Sequence, residues 1–86
     1  MRLEFRQQAF EDLQYWVQIN PKVATRLLRL IEETQRNPFG GTGKPEPLKW
    51  DLSGWWSKRI EQEHRLVYRV EETSLIVAQA KGHYDA

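Results

Sequence analysis

Apolar residues recur along this chain first at every second position, then at every third and fourth, then at every second again. Residues 2–6, "RLEFR", alternate apolar with charged side chains and predict a short strand. From about 7 to 19, Ala9, Leu13 and Trp16 mark one face of an amphipathic helix, with Phe10 and Val17 widening the stripe. Asn20 is placed to cap the next helix, and Pro21 stands where a missing N–H does no harm. Val23, Leu27, Leu30 and Ile31, with Leu28 beside them, form a second stripe that "RNPFGG" stops. So short a link predicts an antiparallel helix hairpin.

Residues 37–47, "NPFGGTGKPEP", read as a loop held partly extended by its prolines. Three strand-like runs follow, at 55–60, 65–70 and 74–81, joined by the hairpin-length connections "EQEH" and "EETS". The order strand, helix, helix, strand meander predicts an α+β domain spanning 1–86, with the helices packed on one face of an antiparallel sheet.

Alternation also assigns faces. In "RLVYRV", Leu66, Tyr68 and Val70 share one side, and Arg65, Val67 and Arg69 the other. If Ile60 and Leu66 both face the core, Arg59 and Arg65 share the open face, which requires an odd-length or bulged turn at "EQEH". In the last strand Ile76, Ala78 and Ala80 suit burial under the helices, leaving Gln79, Lys81 and His83 opposite. The pair Trp55–Trp56 splits, one ring to the core and one to the surface or a partner.

Composition narrows the chemistry. The chain has 86 residues and no cysteine, which excludes a disulfide framework or a thiolate zinc site and suits a reducing cytoplasm. His64 and His83 have no metal-ligand spacing, so neither a metal nor another cofactor is expected. No apolar run is long enough to span a bilayer, and "MRLEFRQQAF" carries charge where a signal peptide would be apolar. The expectation is a soluble, unexported protein without membrane contact. Net charge is only +1, but Lys44, Lys49, Lys58, Arg59, Arg65 and Arg69 crowd the later half and hint at a basic patch.

Cutting RNA without a metal needs a base for the ribose 2′-hydroxyl, an acid for the departing 5′-oxygen, and cations for the phosphate charge. Glu46 could supply the base, His83 the acid, and Arg65 with Arg59 and Lys49 the clamp. Trp50, Trp55 and Tyr84 could stack on bases. Each has an ordinary alternative: a solvated loop glutamate, strand arginines that protect an edge, a frayed terminal histidine. Spacing alone stops at an α+β domain with an anion-binding face.

The stretch "NPFGGTGKPEPLKWDLSGWWSKRIEQEHRLVYRV", followed by "HY" near the end, closely resembles the YoeB-type toxins of the RelE/ParE toxin–antitoxin superfamily. The resemblance implies a RelE-like, microbial-RNase-like α+β fold. It implies a ribosome-dependent endoribonuclease that cuts mRNA in the A site and so stops translation. It also implies a YefM/Phd-type antitoxin, homodimers, and contact with operator DNA only through the toxin–antitoxin complex. By position, Glu46 resembles the general base, Arg65 the phosphate-stabilising arginine and His83 the general acid, with Lys49, Arg59 and Tyr84 as supporting residues. Two departures stand out: Asp85 and Ala86 follow the His-Tyr pair, and Gly82 replaces a bulky residue, which predicts a looser terminal strand. A ParE-like gyrase inhibitor on the same scaffold and a non-catalytic interaction module are the alternatives.

Overall fold

The computed structural model describes residues 1–83; Tyr84, and with it the expectation for that side chain, lies outside the described residues, as do Asp85 and Ala86. Strand β1 (Arg2–Phe5) leads into helices α1 (Gln7–Ile19) and α2 (Pro21–Arg36). A two-residue strand β2 (Glu46–Pro47), a 3₁₀ turn (Trp50–Leu52) and strands β3 (Trp56–Glu61), β4 (His64–Glu71) and β5 (Ser74–Gln79) follow. The sheet order is β1-β5-β4-β3-β2. Strands β2 to β5 run antiparallel to their neighbours, whereas β1 pairs parallel with β5. This is the expected α+β arrangement, with one parallel pair at the edge. No helix among the described residues is long and apolar enough to cross a membrane.

The helix stripes are narrower than their sequence suggests. Ala9 and Trp16 of α1 are buried, but Phe10 and Val17 are exposed, as is Leu28 of α2. Asn20 caps with its backbone rather than its side chain: its N–H closes α1 on Trp16 O at 2.9 Å, and its C=O accepts from Val23 and Ala24 at 3.0 and 3.2 Å. Val23, Leu27, Leu30 and Ile31 pack with Ile60, Leu66, Tyr68, Leu75, Val77 and Ala80 in one core between helices and sheet. Removing a leucine side chain such as Leu27 or Leu66 from water contributes about 1.5–3 kcal/mol, and neither is exposed at all.

The parity argument holds across β3 and β4. Arg59 stands directly opposite Arg65, Ile60 faces the core, and the register slips by one between Arg59 and Glu61. It fails on β5. Leu75 and Val77 face the helices, while Ile76 pairs with Arg69 on the open face. A second slip, between Val67 and Tyr68, restores Ala80 to the core and Gln79 to the open side opposite Val67. "LIVA" is apolar at both parities, so alternation could not choose between them.

Candidate active site

The segment between α2 and β3 is fastened to the fold before it reaches Glu46. Glu33 Oε1 accepts from Thr42 N at 2.9 Å and from Thr42 Oγ1 at 2.6 Å, and lies 3.9 Å from Lys58 Nζ. These two Thr42 hydrogen bonds, and then the Lys58 and Arg36 charges, hold the Glu33 carboxyl below its usual pKa. Lys58 is fully buried on the helix-facing side, and its Nζ also donates to Asn37 O at 3.3 Å. Burial lowers its pKa, with Glu33 opposing that shift. Lys58 therefore does not belong to the basic surface that the sequence hinted at.

Gly43 explains the close approach of this loop. Its φ is +90°, and a Cβ there would come within 3.0 Å of Lys58 Cβ and 3.1 Å of Arg59 O. Its carbonyl accepts from Arg59 N at 2.7 Å. The chain then extends as β2, pairing Glu46 with Ser57 and Pro47 with Trp56. Residues 46–47, which composition assigns to a loop, thus form the edge strand beside β3. An edge tolerates Pro47 because no ladder N–H is required there.

Register places the candidate residues on one face. Glu46 sits opposite Ser57, Ser57 opposite Val67, and Arg59 opposite Arg65. At about 4.8 Å between strands and about 3.4 Å per residue, Glu46 and Arg65 are two strands and two residues apart. Arg65 N donates to Gly82 O at 3.0 Å, which brings the chain bearing His83 to the start of β4. His83 and Glu46 are both exposed. Lys49 is exposed at the start of the 3₁₀ turn, where its carbonyl accepts from Leu52 N at 3.1 Å. Among the described residues, Glu46, Lys49, Arg59 and Arg65 form no ion pair.

Three buried polar atoms on the described residues have no hydrogen-bond partner: Ser57 Oγ, Arg65 Nη1 and Arg69 Nε. All belong to residues whose register puts them on the open face. Beside them Trp55 lies between two guanidinium groups, Arg6 at 5.0 Å and Arg69 at 4.6 Å from the ring centroid. Trp56 takes the other side, against the core and against Phe39 at 4.8 Å. The Trp pair therefore splits as expected. Trp50 is 75% exposed.

Sequence reasoning missed Arg6, which lies at the far end of the chain from Trp55. It also missed His64 Nδ1, which accepts from Gly82 N at 2.8 Å. Gly82 itself, at φ +78°, is held by both its N–H and its C=O, so the chain is fastened at this residue. Among the described residues no three His, Asp or Glu side chains gather as a metal site would require.

Residues 5–84 match the YoeB-like toxin of bacterial type II toxin–antitoxin systems. The chain is 49% identical over 84 residues to "Toxin YoeB" of Streptomyces coelicolor, covering 98% of this chain and 100% of that one. It superposes on a YoeB/ParE toxin from Agrobacterium tumefaciens with a TM-score of 0.94 at 41% identity, covering 98% and 100% of the two chains. The Staphylococcus aureus YoeB, solved as a dimer and in complex with YefM, matches with TM-scores of 0.89 and 0.88 at 41% and 42% identity, over 98% of both chains.

Proposed function

This chain belongs to the YoeB-like toxins of bacterial type II toxin–antitoxin systems, and from that membership we propose that it is a ribosome-dependent endoribonuclease that cuts mRNA in the A site. The carrying observation is convergence. Glu46, Arg59 and Arg65 share the open sheet face, and His83 follows the residue that bonds to the Arg65 backbone.

In this reading Glu46 takes the proton from a ribose 2′-hydroxyl, and the 2′-oxygen attacks the adjacent phosphorus. The bond from phosphorus to the 5′-oxygen breaks, and His83 protonates that oxygen. The products are a 2′,3′-cyclic phosphate and a free 5′-hydroxyl. Arg65, with Arg59 and Lys49, holds the charge that collects on the phosphate oxygens. The unpartnered Arg65 Nη1 supports this role. A buried donor without an acceptor costs about 1–3 kcal/mol, and a phosphate oxygen met by a turn of the guanidinium would supply one. Trp50 and Tyr84 are the proposed base-stacking and supporting side chains. The ribosome contributes alignment of a flexible message, itself a large part of the barrier.

The proposed partners are the ribosomal A site with its mRNA, a YefM-type antitoxin and a second copy of the chain, in line with the S. aureus relative solved as a dimer and with YefM. Operator DNA is contacted only through the toxin–antitoxin complex, and the site of action is the cytoplasm. Purified ribosomes translating a defined mRNA, with new 5′ ends mapped by primer extension, test the proposal. Ends at A-site codons, lost with Glu46→Ala and with His83→Ala, are expected. Intact mRNA and undiminished translation would overturn it and turn attention to gyrase inhibition or simple partner binding.

A further inference from the structure

Asp12 stands on the buried stripe of α1, only 3% exposed, where an apolar residue would be expected. A buried carboxylate is costly unless it is hydrogen-bonded, and both of its oxygens are used. Oδ1 accepts from Gln8 Nε2 at 2.9 Å, and Oδ2 accepts from the backbone N–H of Ala80 at 2.9 Å. One helical turn on, Trp16 Nε1 donates to Ala80 O at 2.8 Å. Both main-chain groups of the first residue beyond β5 thus end on side chains of α1.

The next residues are held as closely. Lys81 Nζ lies 4.1 Å over the ring of Tyr15, again on α1. Gly82 donates its N–H to His64 Nδ1 at 2.8 Å and accepts from Arg65 N at 3.0 Å. This bond requires a lone pair on Nδ1, so the neutral ring carries its proton on Nε2, the nitrogen 3.7 Å from Glu61 Oε1. The Trp16 and His64 rings meet edge to face at 4.8 Å, which joins the two halves of the clasp. Gln79 Nε2 donates to Lys81 O and His83 O at 2.8 and 2.9 Å.

Chain ends fray unless something ties them down. Here ties come from a helix some 68 residues away in sequence and from strands β4 and β5, and among the described residues they reach His83. We propose that Asp12, Trp16 and His64 are positioning residues whose role is to place His83 against the scissile phosphate. This rests on the reading of His83 as the general acid. A proton donor must come within hydrogen-bond reach of the leaving oxygen, and a displacement of about 1 Å can cost roughly 100-fold in rate.

The test is a double-mutant cycle on ribosome-bound mRNA, with cleavage rate measured at saturating and at limiting ribosome complex. Asp12→Ala should lower kcat by about 10- to 100-fold with little change in KM. Asp12→Asn, which keeps an acceptor for Ala80 N–H, should recover most of it. In a His83→Ala background Asp12→Ala should add no further loss, because its effect acts through that histidine. If Asp12→Ala does not fold, His64→Phe against His64→Asn, which keeps an acceptor near the Nδ1 position, carries the same cycle. Losses that multiply in the double variant would overturn the inference while leaving His83 as the acid. A His83→Ala protein that still cleaves normally would overturn the acid assignment and this inference with it.

Discussion

On the helix-covered side of the sheet, Lys58 is withheld from water, and its charge is met by Glu33 at 3.9 Å and by Asn37 O at 3.3 Å. On the side away from the helices, Arg65 keeps a buried Nη1 with no hydrogen-bond partner among the described residues. The strands that carry them are neighbours, and Arg59 next to Lys58 stands opposite Arg65. A cation the fold uses for itself is answered within the fold. A cation left unanswered among the described residues, with an unpaired serine hydroxyl and an arginine-flanked tryptophan on the same face, is what the proposed ligand face rests on.

The sharpest break in that comparison is expected at Glu46. Glu46→Ala should reduce cleavage about 10²–10⁴-fold, the usual worth of a general base, while thermal unfolding stays where it was, since the side chain is exposed and unpaired among the described residues. Next to Arg65 in sequence, Leu66 points the other way and is fully buried. Leu66→Ala should cost about 2–5 kcal/mol in urea unfolding, and its activity should fall only as far as its folded fraction does. Lys58→Met keeps the buried stem and removes the charge. Stability by the same urea assay should fall, because the Glu33 carboxylate and the Asn37 carbonyl are left without their buried partner.

The smallest effects are expected from pH. The Glu33 carboxyl is held below its ordinary 4.5 in the folded state, chiefly by Thr42. Its stabilising contribution is therefore present above that value and lost as pH falls through the folded pKa. Thr42→Val should flatten this acid limb in pH-dependent melting. Lys58 has the same sign in its own, alkaline range. With its pKa below the ordinary 10.5, the folded protein holds fewer protons between the two values, and stability gains as pH rises across that window. Lys58→Met should remove the gain.

How far the sequence could be read depended on whether a residue's neighbours constrained its parity. Ile60 and Leu66 flank the β3–β4 turn and leave one arrangement that buries both, so Arg59 opposite Arg65 and the bulge between them were legible. "LIVA" buries equally well at either parity, and the choice fell to the pairing of Val77 with Tyr68. The strand at Glu46–Pro47 is too short and too rich in proline to leave a periodic signal, and only its pairing with β3 defines it. Lys58 reads as a surface charge because its partner Glu33 is distant in sequence, and the partner of Asp12, the backbone of Ala80, is as far from it. Identifying Glu46, Arg65 and His83 as a set took the family resemblance. Strand register puts Glu46 and Arg65 on one face.

The claim that the open face trades stability for ligand binding is tested most directly at Arg65. Arg65→Met keeps the aliphatic stem and removes the unpaired guanidinium. Melting temperature and ribosome-dependent cleavage should be measured on the same sample. Cleavage reduced about 10²–10³-fold, with a melting temperature equal to or above that of the parent, is the predicted result. Undiminished cleavage, or loss of cleavage and of melting temperature together, would contradict the account.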